Sequence, residues 1–248
     1  MSESWETARR AAGADQGALV ALLAPLLLVQ ARQAVRRAPR LPGASGPPHG
    51  TAGHGGPHRR LLVIGESTAA GVGARAHTHA LPGFLAAEMS GRLGGTVNWT
   101  VRGKGGATAR TVLAELVPAG HEPFDVTVLT VGINDLFDRR ALRPWAGDLL
   151  ALIGALRGEN GSTRLIVSGL PPVHRAPGIP QPLRFLLGRQ ARAMDRTMSQ
   201  VSAACGATYV PINVTTARAD KLFASDGFHP SESGYREWAH VLAKAVPE

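Results

Sequence analysis

"LLVIGESTAAGVGA" (residues 61–74) runs four apolar residues without a break into Gly65-Glu66-Ser67, and Gly71 and Gly73 follow within six positions. A strand that ends at a serine among glycines has three readings. Glycine punctuates chains for steric reasons, so the first is an ordinary turn after a strand. A phosphate-cradling loop is the second, but it needs G-x-x-x-x-G-K-[ST] or G-x-G-x-x-G, and neither spacing is present. The third is a nucleophile turn, in which the strand stops at the sheet edge and the serine hydroxyl projects into a crevice.

Working outward from this stretch, apolar strand-like runs recur at residues 60–64, 96–101, 124–131, 164–168 and 208–212. Segments of helical periodicity lie between and after them, at 82–93, 108–117, 144–157, 185–204 and 232–245. Strands and helices that alternate in this way, with nearly continuous apolar strands, predict a parallel sheet covered on both faces. The expected fold is α/β: a three-layer sandwich on a five-stranded parallel sheet, in the flavodoxin-like order 2-1-3-4-5. Ligands of such sheets bind at the carboxyl ends of the strands, which directs attention to the residues just beyond each one. There stand Ser67, then "RGKGGAT" with Gly105 and Gly106, then "VGINDL" with Asn134, and before the last helix "SDGFHPSESGY" with Asp226 and His229.

Composition narrows the function classes. The chain has 248 residues, 44% of them hydrophobic, enough for one α/β domain with a substantial core and an extension. One cysteine, Cys205, rules out an internal disulfide and a Cys-rich zinc site; its setting suits a buried small apolar residue. The histidines form no H-E-x-x-H pattern, and His49, His54, His58, His77 and His79 sit in Gly-, Pro- or Thr-rich stretches that read as solvated loops. No metal or cofactor is expected. The formal net charge of +9 comes mostly from arginine and is shared between the first 60 residues and the rest. No stretch interleaves aromatic with basic residues, so nucleic acid is not an expected partner.

The N-terminal region has three parts. An apolar run at residues 17–31, broken by Pro25, is shorter than the ~20 residues that span a bilayer comfortably. It lacks the basic leader and the clear cleavage site of a secretory signal. Arg32, Arg36, Arg37 and Arg40 follow it directly, and residues 41–58 form a Gly/Pro-rich linker in which no regular element is expected. Residues 1–58 therefore divide from an α/β domain at 59–248. One reading of the region is attachment to a membrane surface through residues 17–40, since an apolar face beside basic charge is a two-signal attachment. Insertion would keep the domain on the cytoplasmic side, so the expected location is cytoplasmic, with secretion left open. The other reading is a helix packed on the domain near its crevice.

These four blocks together resemble the SGNH hydrolases, the GDSL esterase and lipase family, over residues 59–245. "GESTAAGVG" is similar to the nucleophile block, "GKGGAT" to the glycine block, "VGINDL" to the G-x-N-D block and "DGFHP" to the D-x-x-H block. The resemblance implies Ser67 as nucleophile, His229 and Asp226 as base and orienter, and Ser67, Gly106 and Asn134 as oxyanion donors. It departs at Glu66, where the family usually has Asp; the extra methylene bears on the geometry of the turn.

The chemistry fits the implied parts. A serine hydroxyl needs an adjacent base, and a carboxylate three residues before a histidine can fix its tautomer. The implied activity is hydrolysis of carboxylic esters, on a small-molecule or lipid ester. An acyltransferase with the same triad, or a non-catalytic acyl- or glycan-binding module, are the alternatives. Residues 171–190, a Pro-rich connection ending in "LRFLLG", form either one wall of an acyl site or a surface connection. Asp135 reads as a brace for its turn, Ser231 as a helix N-cap, and Asp138, Arg139, Arg140 and Arg143 as a solvated charged face.

Overall fold

A computed structural model describes residues 22–247 except 35, 38, 118–123, 159–163 and 213–218. Residues 17–21 of the apolar run lie outside the described residues. The sheet has six strands: β1 (His49–Ala52), β2 (His58–Gly65), β3 (Thr96–Gly103), β4 (Val126–Thr130), β5 (Arg164–Ser168) and β6 (Thr208–Val210), in the order β1-β3-β2-β4-β5-β6. Five of these strands are parallel and follow the expected order; β1 pairs antiparallel with β3 at one edge. Gly65 stands level with both Gly103 of β3 and Thr130 of β4, so three strands end at one height. Everything that follows them arrives at the same rim.

The helices are α1 (residues 22–34), α2 (Leu81–Leu93), α3 (Ala109–Glu115), α4 (Ile133–Phe137), α5 (Leu142–Gly158), α6 (Leu183–Ala204) and α7 (Glu232–Ala243). Because side chains of a strand alternate in direction, Leu62 and Ile64 of β2 enter the core with α3, α5 and α6, while Leu61 and Val63 enter the core with α2 and α7. All four are fully buried. That two-sided burial is why the run reads as continuously apolar instead of alternating.

The sixth strand corrects the expectation of five, and it lies inside the segment expected to hold no regular element. Gly50 makes it feasible, since a Cβ there would come within 2.3 Å of the Trp99 ring. Two further expectations change. His77 is buried, its ring 6.4 Å from that of Trp99, whereas His49, His54 and His58 are exposed and His79 is half-buried. Cys205 is the half-buried C-cap of α6.

At the N-terminus, α1 lies against the start of α6. Gln30 donates from Nε2 to the carbonyl of Gln181 at 2.6 Å and accepts the N–H of Leu183 at 3.2 Å. Leu27 is buried, whereas Leu22, Leu26, Leu28 and Val29 are exposed. Among the described residues no helix is long and apolar enough to cross a membrane. The apolar "LRFLLG" end of residues 171–190 is the first turn and a half of α6.

Candidate active site

Gly65 leaves β2 at φ +151, and a Cβ there would sit 1.9 Å from the Thr130 carbonyl oxygen. Only glycine lets the chain turn this close to β4. The Glu66 N–H then donates to Thr130 O at 3.0 Å, and the carbonyls of Glu66 and Ser67 accept from Ala70 and Val72. This turn holds Ser67 half-buried at the rim. Tyr235 of α7 braces its far end by donating to the Val72 carbonyl at 2.7 Å.

Opposite Ser67, residues 222–231 fold back on themselves through Ala224 N–H to His229 O at 2.8 Å and Ser231 N–H to Leu222 O at 2.9 Å. As expected, Ser231 caps α7, accepting the Gly234 N–H at 3.1 Å. Within the loop, Asp226 Oδ1 accepts the N–H groups of Phe228 and His229 at 2.9 and 3.0 Å. Its Oδ2 lies 2.5 Å from His229 Nδ1, and His229 Nε2 lies 3.1 Å from Ser67 Oγ. Burial alone would raise the Asp226 carboxyl; its bonds to His229 and to the Phe228 N–H outweigh this and hold it below the usual range. Phe228 stacks edge-on against the His229 ring at 5.2 Å and meets Phe137 at 5.3 Å, walling the imidazole on one side.

Asn134 and Glu66 form a second cluster at the same rim. Glu66 is almost wholly buried and accepts three N–H groups: Asn134 Nδ2 at 2.8 Å, Asn134 N at 3.3 Å and Ile133 N at 3.4 Å. Burial nevertheless pushes its carboxyl up to about 8, with the neighbouring Asp135 adding to the rise. The second Nδ2 hydrogen of Asn134 goes to the Ala107 carbonyl at 2.9 Å. The amide expected to serve an oxyanion therefore has two resident acceptors, a feature that spacing could not reveal.

Gly106 is exposed with φ +78, and a Cβ on it would meet nothing within 4 Å. Glycine is required there by the backbone conformation and not by crowding. Asp135 braces a different turn from its own, accepting the N–H of Ala109 at the start of α3 at 3.0 Å. The charged face expected at residues 138–143 is divided. Arg140 pairs with Asp148 at 2.7 Å, and Arg139, at φ +53, borders a large cavity.

That cavity, of about 1070 Å³, lies between α1 and α6 and has Asp226, Phe228 and His229 in its wall. Gly178 and Ile179 also line it, so residues 171–190 contribute part of this cavity's wall. Among the described residues, no three His, Cys, Asp or Glu side chains gather as a metal would require.

Comparison with known proteins bears on the family and the fold. The model of the GDSL-like Lipase/Acylhydrolase family matches residues 63–237. The GDSL-like esterase Rv1075c of Mycobacterium tuberculosis is 28% identical over 195 residues, which cover 75% of this chain. The chain spans only 61% of that relative's length. In fold it is similar to phospholipase A1 of Streptomyces albidoflavus, with TM-score 0.60, 18% identity, and coverage of 76% of this chain and 99% of that one. It is likewise similar to a carbohydrate acetylesterase of Sinorhizobium meliloti, with TM-score 0.58, 17% identity, and coverage of 76% and 98%.

Proposed function

The chain belongs to the GDSL-like lipase/acylhydrolase family, and on that premise we propose that it is a serine esterase acting through an acyl-enzyme. One observation carries this reading: the unbroken contact from Asp226 Oδ2 through His229 to Ser67 Oγ, at 2.5 and 3.1 Å.

In the reaction, Ser67 Oγ attacks the ester carbonyl while His229 Nε2 takes the hydroxyl proton. Asp226 holds the imidazole with its Nδ1–H turned inward and stabilises the imidazolium. The backbone N–H groups of Ser67 and Gly106 and the Asn134 amide receive the oxyanion, each donor being worth about 3 to 4 kcal/mol of barrier. The charged oxyanion outcompetes the neutral Ala107 carbonyl for one Asn134 hydrogen, because hydrogen bonds to an ionised acceptor are stronger. Collapse breaks the C–O bond to the alcohol, which leaves with the proton from His229. Water, deprotonated by the same histidine, then releases the acid.

Labelling with a fluorophosphonate tests this reading. The expected result is one adduct on Ser67, lost in Ser67→Ala; labelling elsewhere, or none, contradicts it. Added alcohol separates hydrolysis from acyl transfer by product, since a transferase yields a new ester.

The exposed Leu22, Leu26, Leu28 and Val29 beside Arg32, Arg36 and Arg37 support a further part of the proposal. This outer side of α1 rests the enzyme on an anionic membrane surface.

A further inference from the structure

The cavity beside the triad is large for the pocket of a small ester. Ligand pockets hold roughly 300–1,000 Å³, and this one reaches about 1070 Å³. One wall is the inner face of α1, with Ala24, Leu27, Ala31 and Ala34 recurring at helical spacing. Leu183, Leu186 and Leu187 of α6 form the facing wall. The polar groups that these two helices add are Arg189 and Gln190 of α6; Arg40, Arg139 and Asp226 line the cavity elsewhere, and Phe228 and His229 belong to the same wall. An apolar chain lying along Ala24, Leu27 and Ala31 of α1 and Leu183, Leu186 and Leu187 of α6 thus packs on a mainly apolar surface, in the same cavity as the histidine that must sit beside the scissile ester. Gln30 fixes the two walls to each other through Gln181 and Leu183.

We propose that this cavity holds a long apolar chain of the ester substrate, and that α1 is the wall that sets the chain length accepted. The proposal rests on the esterase reading but places chain selectivity in a helix ahead of residues 63–237, the part matched by the family. Its consequence is a preference for long-chain over acetate-sized esters. Full burial favours each added methylene by up to roughly fourfold. A short-chain ester would leave most of the space to water.

Two measurements on the full chain test it. The first follows binding of a dansyl-labelled undecanoic acid to the protein carrying Ser67→Ala, and again after adding Ala31→Trp or Leu187→Trp. These variants fill the cavity from opposite walls, so misfolding of one does not decide the outcome, and circular dichroism checks each. The second compares rates on p-nitrophenyl esters from acetate to decanoate, and on alkyl acetates of the same lengths, which distinguishes an acyl chain from an alcohol chain in the cavity. The expected results are probe binding that weakens at least tenfold in the filled variants, and a long-to-short rate ratio that falls at least tenfold in one ester series. Failure to bind the probe, or binding within twofold of the parent in both filled variants, overturns the proposal. The binding arm needs no turnover. An inactive wild type that still binds the probe therefore counts against the esterase reading and leaves the cavity assignment standing.

Discussion

Glu66 and Asn134, 68 positions apart, are joined side chain to side chain by a 2.8 Å hydrogen bond. Together with the Ala107 carbonyl on the other amide hydrogen, this bond fixes the plane of the Asn134 carboxamide. The extra methylene at Glu66 thus has a visible use. It carries the carboxyl beneath the first turn of α4, where it also collects the N–H groups of Ile133 and Asn134.

Asn134→Ala is expected to lower kcat by roughly 100- to 1,000-fold on a short ester, with little change in KM, because the amide engages charge that exists mainly in the transition state. Steady-state kinetics on p-nitrophenyl butyrate separate the two constants. A change confined to KM assigns Asn134 to substrate positioning instead.

Glu66 also sets a pH dependence of stability. Burial raises its carboxyl from 4.5 to about 8, so between those values the folded protein keeps a proton that the unfolded chain has lost. Stability from this group is therefore fully present below about 4.5, declines as pH rises, and is gone above about 8. In Glu66→Gln the carbonyl oxygen can still accept both Asn134 hydrogens, while the amide faces only the weak 3.4 Å contact to Ile133 N. Tm measured from pH 5 to 8 should fall less steeply in Glu66→Gln than in wild type. Parallel curves contradict the assignment.

Where the sequence was legible and where it was not has a physical basis. Each central strand is buried on both faces, so the runs around Leu61, Val128 and Ile166 declare themselves, and Ser67, Asn134 and His229 follow strand ends or a loop at the same rim. Strand β1 escaped because His49–Ala52 is only four residues long among glycines and prolines, and it exists by pairing with β3. The Glu66–Asn134 bond escaped because it is a tertiary contact between two blocks, each of which reads as complete alone. Helix α1 was visible as an apolar run, but its division into a cavity-lining face and an exposed face depends on α6.

Strand β1 changes what truncation should do. A chain starting at residue 59 loses β1 and leaves β3 as an open sheet edge over Trp99, whereas a chain starting at residue 42 keeps the pairing. The shorter chain is expected to unfold at least about 5 °C below the longer one and to aggregate more readily. Equal Tm and solubility would mean that β1 adds nothing to the sheet.

Co-sedimentation with vesicles tests the outer face of α1. Binding is expected to vesicles containing phosphatidylserine, to weaken with added salt, and to drop when Leu22, Leu26 and Val29 are replaced together by Ser. Those three side chains are exposed, so the fold should tolerate the change. Equal sedimentation of the substituted protein contradicts the attachment.

Whether Ser67 is the nucleophile is decided by the rate of p-nitrophenyl acetate hydrolysis by Ser67→Ala beside wild type, with circular dichroism to show that both are folded. Removing the hydroxyl takes away the atom that bonds to the acyl carbon while leaving the oxyanion donors and the His229–Asp226 pair in place. The expected loss in kcat is at least about 1,000-fold. A folded Ser67→Ala protein that keeps a tenth or more of wild-type activity contradicts it.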